Sequence, residues 1–307
     1  MVPVFRDLSA DLETPISVFL KMKGDFPCFL LESVEKGENL GRYSFIGANP
    51  SLMFRADQDE GVVVRNGVEE RVLMSTSSDG QDPLHVLQRL LDEYKVVRLP
   101  GLPRFFGGAV GYLSYDMVSF FEELPPCSRD ELHLPDCFFM FTDTLIIFDH
   151  VQQRMKVVCN VPIGDSTDAA YEEATARIDA ITSTLNTPLV TEQLPYDSAR
   201  EADGMPEWES NFSQEEYMQA VETAKEYIAA GDAFQIVPSQ RWHRKTNADP
   251  FSVYRALRML NPSPYMFYLD FNSFQLIGSS PEMLVRLEEG VAETRPIAGT
   301  RPRGSTE

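Results

Sequence analysis

The chain has 307 residues and a mass of 34.7 kDa, which is enough for one large domain or two ordinary ones. Hydrophobic residues make up 43 % and charged residues 24 %, so disorder over the whole length is excluded. With 47 acidic and 27 basic residues the net charge is −20, which argues against nucleic acid or an anionic membrane surface as a partner.

Targeting and metal-binding patterns are not evident in the sequence. The N-terminal residues do not combine a basic segment with an apolar one, so we expect no signal peptide and a cytoplasmic location. The apolar run near 137–148 is shorter than the roughly 18 residues of a membrane helix. The four cysteines form no CxxC pair and the four histidines no HExxH pair, which argues against a disulfide scaffold or a transition-metal site.

The first half of the chain reads mostly as short strands. Asn66-Gly67 lies between two apolar runs and predicts a tight hairpin, because both residues accept positive φ angles. Asp82-Pro83 predicts a helix start, and an apolar stripe predicts a second helix up to Leu185. The other strands are expected at 28–33, 42–47, 51–55, 138–149 and 155–161.

The second half begins with a stretch, 186–211, that is rich in Pro, Glu, Asp and Ser and predicts a linker. Ser213 and Glu216 then form a capping-box pattern for a helix that ends at Gly231. Another helix is expected from Pro250 to Leu260. The strands of this half are expected at 234–242, 265–271, 274–279 and 283–287.

These elements predict an α+β fold in which antiparallel β-sheets are flanked by helices. Short turns between successive strands favour antiparallel pairing over long crossovers. We expect an N-terminal β-rich domain at 1–185, a linker at 186–211 and a second domain at 212–307.

A glycine-rich segment runs from Phe105 to Asp116. It does not fit GxGxxG or GxxxxGK[ST], so a phosphate loop is not predicted. Glycine inside a strand more often marks a bulge or a close approach of two backbones, and this is the interpretation that we favour.

Three other segments have an ordinary and a functional interpretation. Glu32 and Ser33 end a strand, and they are either solvated or able to receive a ligand ammonium group. Asn261–Met266 is either a turn or a rigid wall whose Tyr265 and Met266 offer an apolar slot. Residues 295–304 contain three arginines within nine residues and form either a basic loop or a site for a small anion.

The run Pro296-Ile-Ala-Gly-Thr-Arg-Pro-Arg-Gly304 resembles the signature of the chorismate-utilising enzymes. Together with Leu30–Ser33, Gly107–Tyr112 and Asn261–Met266 it resembles the anthranilate synthase large subunits, component I, within that family. The resemblance spans essentially the whole chain. It implies a two-layer sandwich, with a regulatory domain at 1–185 and the start of a chorismate-binding catalytic domain at 212–307.

Two positions discriminate between branches of this family. Aminodeoxychorismate synthases have a nucleophilic lysine where this chain has Ala298, and isochorismate and salicylate synthases have a lysine where it has Gln235. Since neither side chain can serve as nucleophile or base, the resemblance implies that ammonia attacks chorismate and that the products are anthranilate and pyruvate.

The resemblance also implies site residues, a cofactor and partners. Gly299 and Thr300 would bind chorismate, while the feedback inhibitor tryptophan would be bound by Glu32, Ser33, Pro264, Tyr265 and Met266. Ammonia would come from a glutamine amidotransferase subunit, anthranilate synthase component II. Mg²⁺ would be the cofactor, and its ligands and the catalytic residues are expected beyond Glu307. On this basis we expect the 307-residue chain alone to make no anthranilate.

Two alternatives stay open at this point. The chain could be a relative of the isochorismate or aminodeoxychorismate synthases, although Gln235 and Ala298 disfavour both. It could also be a non-enzymatic module that binds tryptophan.

Overall fold

A computed structural model of the chain describes residues 1–33, 41–74, 82–124, 130–164, 166–190 and 208–295. By internal contacts the chain divides into two compact units. Unit 1 comprises Met1–Thr191 and Val253–Glu307, and unit 2 comprises Glu192–Ser252. This grouping differs from the linear division at 186–211, because strands from the last part of the chain join a sheet that begins at the first residues. The predicted domain boundaries stay a prediction.

The larger sheet of unit 1 has seven antiparallel strands, numbered here along the chain. Its strands in spatial order are β1 (Val2–Ser9), β10 (Arg154–Val161), β9 (Thr144–Asp149), β3 (Tyr43–Ala48), β2 (Cys28–Glu32), β13 (Tyr265–Asp270) and β14 (Gln275–Ser280).

A second sheet of unit 1 has five antiparallel strands. Its spatial order is β6 (Val68–Leu73), β5 (Glu60–Arg65), β4 (Leu52–Asp57), β8 (Cys137–Thr142) and β7 (Gly108–Leu113). The turn between β5 and β6 is the predicted hairpin, and both of its residues, Asn66 and Gly67, have positive φ angles of 52° and 77°. A small separate hairpin, β15 (Arg286–Glu288) with β16 (Val291–Glu293), follows β14.

The two sheets of unit 1 share one hydrophobic core. Phe29 of β2 and Leu269 of β13 come from the larger sheet, and Val110 of β7 and Met140 of β8 come from the smaller one. Burial of these side chains on both inner faces is the main favourable term for packing one sheet on the other. The predicted α+β class with antiparallel sheets is therefore confirmed.

The predicted strand at 138–149 is wrong in one respect, since it is two strands in two different sheets. β8 ends at Thr142 in the smaller sheet, and β9 begins at Thr144 in the larger one. The bend at Asp143 is held by its carbonyl oxygen, which accepts hydrogen bonds from the backbone N–H of Asn160 at 2.7 Å and from its Nδ2 at 3.1 Å. The apolar pattern runs through the bend because both halves are buried, so the pattern alone did not reveal it.

Five α-helices occur in the described residues, and their caps explain most of their limits. They are α1 (Pro15–Met22), α2 (Pro83–Asp92), α3 (Thr167–Leu185), α4 (Gln214–Ala230) and α5 (Pro250–Leu260). The Asp82 side chain accepts from the backbone N–H of His85, and Ser213 and Glu216 form the predicted capping box. The sequence analysis missed α1, although Thr14 caps it and Pro15 occupies its first turn. None of the helices built from the described residues is both long and apolar enough to span a lipid bilayer.

Unit 2 departs from the prediction at residues 234–242. Only Trp242–His243 forms a strand there, β12, and it pairs with β11 (Glu209–Ser210). In the part of the chain that the structure describes, residues 234–241 form no ladder with any strand.

Gly111 of β7 confirms the predicted close approach within the glycine-rich segment. A Cβ atom placed there would lie 1.9 Å from the carbonyl oxygen of Phe138 on the neighbouring strand β8. No side-chain rotation can relieve this contact, because the obstructing atom belongs to the backbone. Glycine is therefore required at this position by packing.

Gly111→Ala is expected to lower the free energy of unfolding by about 2–3 kcal/mol, at the upper end of overpacking effects, because β7 must separate from β8. Urea denaturation checks this. Gly164→Ala is the matched control, since nothing lies within 4 Å of its Cβ position. Equal stability of the two variants would contradict the steric requirement.

Candidate functional site

Four strands of the larger sheet bring several polar groups to one row of residues. Glu32 at the end of β2 is paired with Met266 of β13 on one side and with Ser44 of β3 on the other. Ser44 is paired in turn with Phe148 of β9. Of these, Glu32 and Ser44 are polar and yet buried, which requires hydrogen-bond partners.

The Glu32 carboxylate is bound by two side chains of α5. Tyr254 donates from its hydroxyl to Oε2 at 2.6 Å. Arg258 donates from Nε to Oε2 at 2.9 Å and from Nη2 to Oε1 at 3.1 Å, which is the two-pronged arrangement that suits a guanidinium and a carboxylate. Both carboxylate oxygens are therefore occupied, and the charge of Glu32 is balanced inside the protein.

Helix geometry explains why α5 can supply both partners. Tyr254 and Arg258 are four residues apart and so lie on the same face of the helix. Tyr254 is fully buried, and burial first and the Glu32 charge second raise the pKa of its phenol well above the ordinary value. The phenol therefore stays protonated and remains a donor to Glu32.

A second polar pair lies next to this cluster. Ser44 Oγ and His150 Nε2 are 2.7 Å apart. Burial lowers the pKa of His150 below its ordinary value; the Glu32 charge opposes this effect, and the Arg258 charge adds to it. His150 and Arg258 also line one cleft of about 450 Å³ that opens beside the N-terminus of α1.

The predicted tryptophan-site residues lie close together at this edge of the sheet, in unit 1. Glu32 and Met266 are partners across β2 and β13; Ser33 directly follows the last residue of β2, and Tyr265 is the first residue of β13. Met266 is buried, whereas Tyr265 is 40 % exposed. The role of these residues and of Pro264 as a tryptophan site stays a prediction.

Two hydroxyl groups at this edge have no hydrogen-bond partner among the described residues. They are Ser33 Oγ, directly after Glu32, and Ser263 Oγ, directly before Pro264. A buried hydroxyl without a partner is unfavourable, so each of these atoms has an unused capacity for a hydrogen bond.

The other predicted site residues lie elsewhere. Gln235 is in unit 2, exposed, and outside any strand. Ala298, Gly299 and Thr300 fall outside the described residues, as does the whole run from Pro296 to Gly304. The structure therefore does not test the predicted chorismate contacts.

A metal centre requires several ligating side chains close together. Across the ranges given above, no group of three or more His, Cys, Asp or Glu side chains comes close enough to hold one. The described residues therefore do not fit a Mg²⁺ centre.

The sequence analysis missed the residues that hold Glu32. Tyr254, Arg258, Ser44 and His150 belong to no motif that was singled out. One signal was present, since an aromatic hydroxyl and an arginine four residues apart on a helix can grip one carboxylate. What the sequence could not reveal was that this helix lies over the end of β2, 222 residues away.

The fold and the motifs define a class of protein. The sequence profile of the chorismate binding enzymes matches residues 26–307, which is most of the chain. The chain therefore belongs to the chorismate binding enzyme family, and the resemblance deduced from the motifs is confirmed.

Its curated relatives have a more specific description. The chain is 43 % identical over its whole length to anthranilate synthase component 1 of Acetivibrio thermocellus, and 40 % identical over its whole length to that of Pseudomonas putida. It covers 61 % of each of these proteins. The chain thus spans about three fifths of the length of the curated relatives that it matches.

Solved structures give the same picture of the fold. The crystal structure of anthranilate synthase component I from Streptococcus pneumoniae TIGR4 superposes with a TM-score of 0.61 at 27 % identity, covering 93 % of this chain and 59 % of that one. The menaquinone-specific isochorismate synthase MenF from Escherichia coli has a TM-score of 0.50 at 15 % identity, covering 93 % of this chain and 52 % of that one, and shares the fold alone.

Removing one partner of the ion pair between Arg258 and Glu32 should destabilise the folded protein. Arg258→Ala is expected to lower the free energy of unfolding by about 3 kcal/mol, because the Glu32 charge is left buried without its cation. Adding Glu32→Gln to this variant should recover part of the loss, since a neutral amide costs less to bury. Denaturant unfolding measures both effects.

Arg255→Ala on the same helix is the matched control, and a change within about 0.5 kcal/mol is expected. A similar loss in the two arginine variants would mean that the ion pair with Glu32 adds nothing specific.

The lowered pKa of the His150 imidazole should make stability depend on pH. Its pKa is lowered in the folded state, so between that value and about 6.5 the unfolded chain binds a proton that the folded chain does not. Stability from this group is therefore complete above about pH 6.5 and is lost as the pH falls below it. We expect His150→Gln to reduce the decrease in Tm between about pH 7.5 and about pH 5.5.

Thermal unfolding followed by circular dichroism at several pH values measures this decrease. His85→Gln provides the comparison, because the His85 side chain is 72 % exposed. An undiminished decrease in His150→Gln would show that other groups cause it.

Proposed function

We propose that the chain serves in anthranilate synthesis, in which chorismate and ammonia give anthranilate and pyruvate. The observation that carries this proposal is the 43 % identity to an anthranilate synthase component 1 along the whole of this chain. Ala298 and Gln235 support it, because neither side chain offers the lysine amine that the two alternative reactions of the family would need. Ammonia would then be the nucleophile.

Partners and cofactor form part of the same proposal. A component 1 implies a second component, and we propose a glutamine amidotransferase that releases ammonia. Mg²⁺ would assist loss of the chorismate hydroxyl, with ligands outside the described residues. The ring carboxylate of chorismate would be met by Gly299 and Thr300 beside Arg301 and Arg303, in a chain that is otherwise acidic. The reaction would take place in the cytoplasm, the compartment predicted from the sequence.

We further propose that tryptophan, the feedback inhibitor, binds at the end of β2 and β13. Support comes from the unpartnered hydroxyls of Ser33 and Ser263 and from the half-exposed ring of Tyr265, which is suited to stacking on an indole. For Glu32 we propose a supporting role. Its carboxylate is already bound by Arg258 and Tyr254, so it anchors α5 and the following Pro264–Met266 segment, and the direct polar contact falls to Ser33.

Product analysis tests the reaction. A chimera would join residues 1–307 to the remaining part of the Acetivibrio thermocellus relative and be supplied with chorismate, Mg²⁺ and ammonium. We expect anthranilate, detected by its fluorescence and by chromatography. Isochorismate or aminodeoxychorismate as product would contradict the proposal, as would a folded chimera without anthranilate. The 307-residue chain alone, expected to make none, is assayed in parallel.

Tryptophan binding is tested separately on the 307-residue chain by calorimetry. Ser33→Ala should weaken binding at least about tenfold, because a hydrogen bond to a charged group is worth roughly 1.5–3 kcal/mol. Ser183→Ala, on the exposed face of α3, should leave the affinity unchanged. Equal affinities of the two variants would place tryptophan elsewhere. Tryptophan binding combined with a chimera that makes no chorismate product would favour a non-enzymatic binding module.

A further inference from the structure

A second cavity lies at the other end of the larger sheet. Its volume is about 280 Å³, and it is lined by Phe106, Gly107 and Gly108 of the glycine-rich segment, which the proposed function does not use. It is also lined by Ser51 and Thr142, which lie at the two places where the chain passes from one sheet to the other.

Asn160 of β10 lines this cavity and has an unused acceptor. Its side chain is buried, and its Nδ2 donates to the carbonyl oxygens of Phe106 at 2.7 Å and of Asp143 at 3.1 Å. These two bonds fix the orientation of the amide, because only the nitrogen can face two carbonyls. The other atom, Oδ1, has no hydrogen-bond donor among the described residues.

The glycine-rich segment is shaped around this amide. A Cβ atom on Gly107 would lie 2.6 Å from Asn160 Nδ2, so a larger residue would displace the amide. The close approach of Phe106–Gly107 therefore holds Asn160 in one orientation in the cavity lining.

A positive charge borders the same cavity. Arg98 is exposed and has no ion pair within the part of the chain that the structure describes. Arg104 also lines the cavity, but its guanidinium is bound to Glu288. Arg98 is thus a cation that an incoming anion could use without displacing a described partner.

Aromatic side chains, with Leu91 and Val96, form the apolar part of the lining, and Asp143, whose carboxylate is paired with Arg177, also borders the cavity. The rings of Tyr94 and Phe141 lie with their centroids 6.5 Å apart, and Phe106 completes the apolar surface. Such a surface is suited to a flat ring of modest size.

We propose that this cavity binds a small aromatic carboxylate that also has an O–H or N–H donor. Arg98 would bind the carboxylate, Asn160 Oδ1 would accept the hydrogen bond, and the ring would contact the aromatic lining. The cavity is separate from the Glu32 row. Asn160 is five residues along β10 from Met155, the β10 residue of that row, which corresponds to about 17 Å at 3.3 Å per residue.

The test uses three probes of nearly equal size and the 307-residue chain. They are 4-hydroxyphenylacetate, which has both groups, phenylacetate, which lacks the donor, and 4-methylphenol, which lacks the carboxylate. Calorimetry should show binding of the first, with the other two at least about tenfold weaker, because each loses one of the two polar contacts.

Variants locate the binding site. Arg98→Ala should weaken binding of 4-hydroxyphenylacetate at least about tenfold. Arg154→Ala removes an exposed arginine at the opposite end of β10, and Ser33→Ala alters the proposed tryptophan site; neither should change this affinity. Leu91→Trp, on the helix surface that borders the cavity, should abolish binding by filling it.

Two results would overturn the proposal. One is no binding of 4-hydroxyphenylacetate at millimolar concentration. The other is an affinity that Arg98→Ala leaves unchanged. Both are independent of anthranilate formation and of tryptophan binding, so they leave the proposed function untouched.

Discussion

One buried charge sets the arrangement of the larger sheet and the helix above it. Glu32 is almost completely enclosed, with a side chain that is 2 % exposed, and an isolated carboxylate in such a place would be strongly unfavourable. Arg258 and Tyr254 of α5 balance it from across the sheet face. Because their bonds have a narrow range of geometry, they fix where α5 ends and hence where the Asn261–Met266 turn enters β13. The directional hydrogen bonds to Glu32, rather than the burial of apolar surface, determine the position of this edge of the sheet.

The same edge connects structure to the proposed regulation. The neighbouring hydroxyls of Ser33 and Ser263 are buried without described partners, beside an ion pair whose members satisfy each other. A ligand that engages these hydroxyls would bind to a surface whose shape Glu32 already fixes. Its binding energy could then favour one arrangement of the turn over another, which is how a feedback inhibitor biases an equilibrium between two states.

The sequence predicted local features well and long-range ones poorly. Asn66-Gly67 correctly predicted a hairpin, and Ser213 correctly predicted the start of a helix. Both predictions depend only on backbone angles and hydrogen bonds among a few neighbouring residues. The bend at Asp143 was missed because the residues on both sides of it are buried, so the apolar pattern continues through it. Residues 234–241 were wrongly predicted as a strand because the apolar pattern of a segment does not show whether another strand pairs with it. Glu32 and Ser33 were singled out from the sequence, but the internal partner of Glu32 was not, since it lies more than two hundred residues away.

The order of strands in the larger sheet has a consequence for how the protein is made. β2, complete by residue 32, pairs on one edge with β13, whose first residue is 265. A nascent chain therefore carries an open strand edge until more than two hundred further residues have been made. Closing a loop of this length costs considerable chain entropy. Such non-local pairing slows folding and exposes an aggregation-prone edge meanwhile. During translation, β2 depends for its completion on a strand that is made more than two hundred residues later.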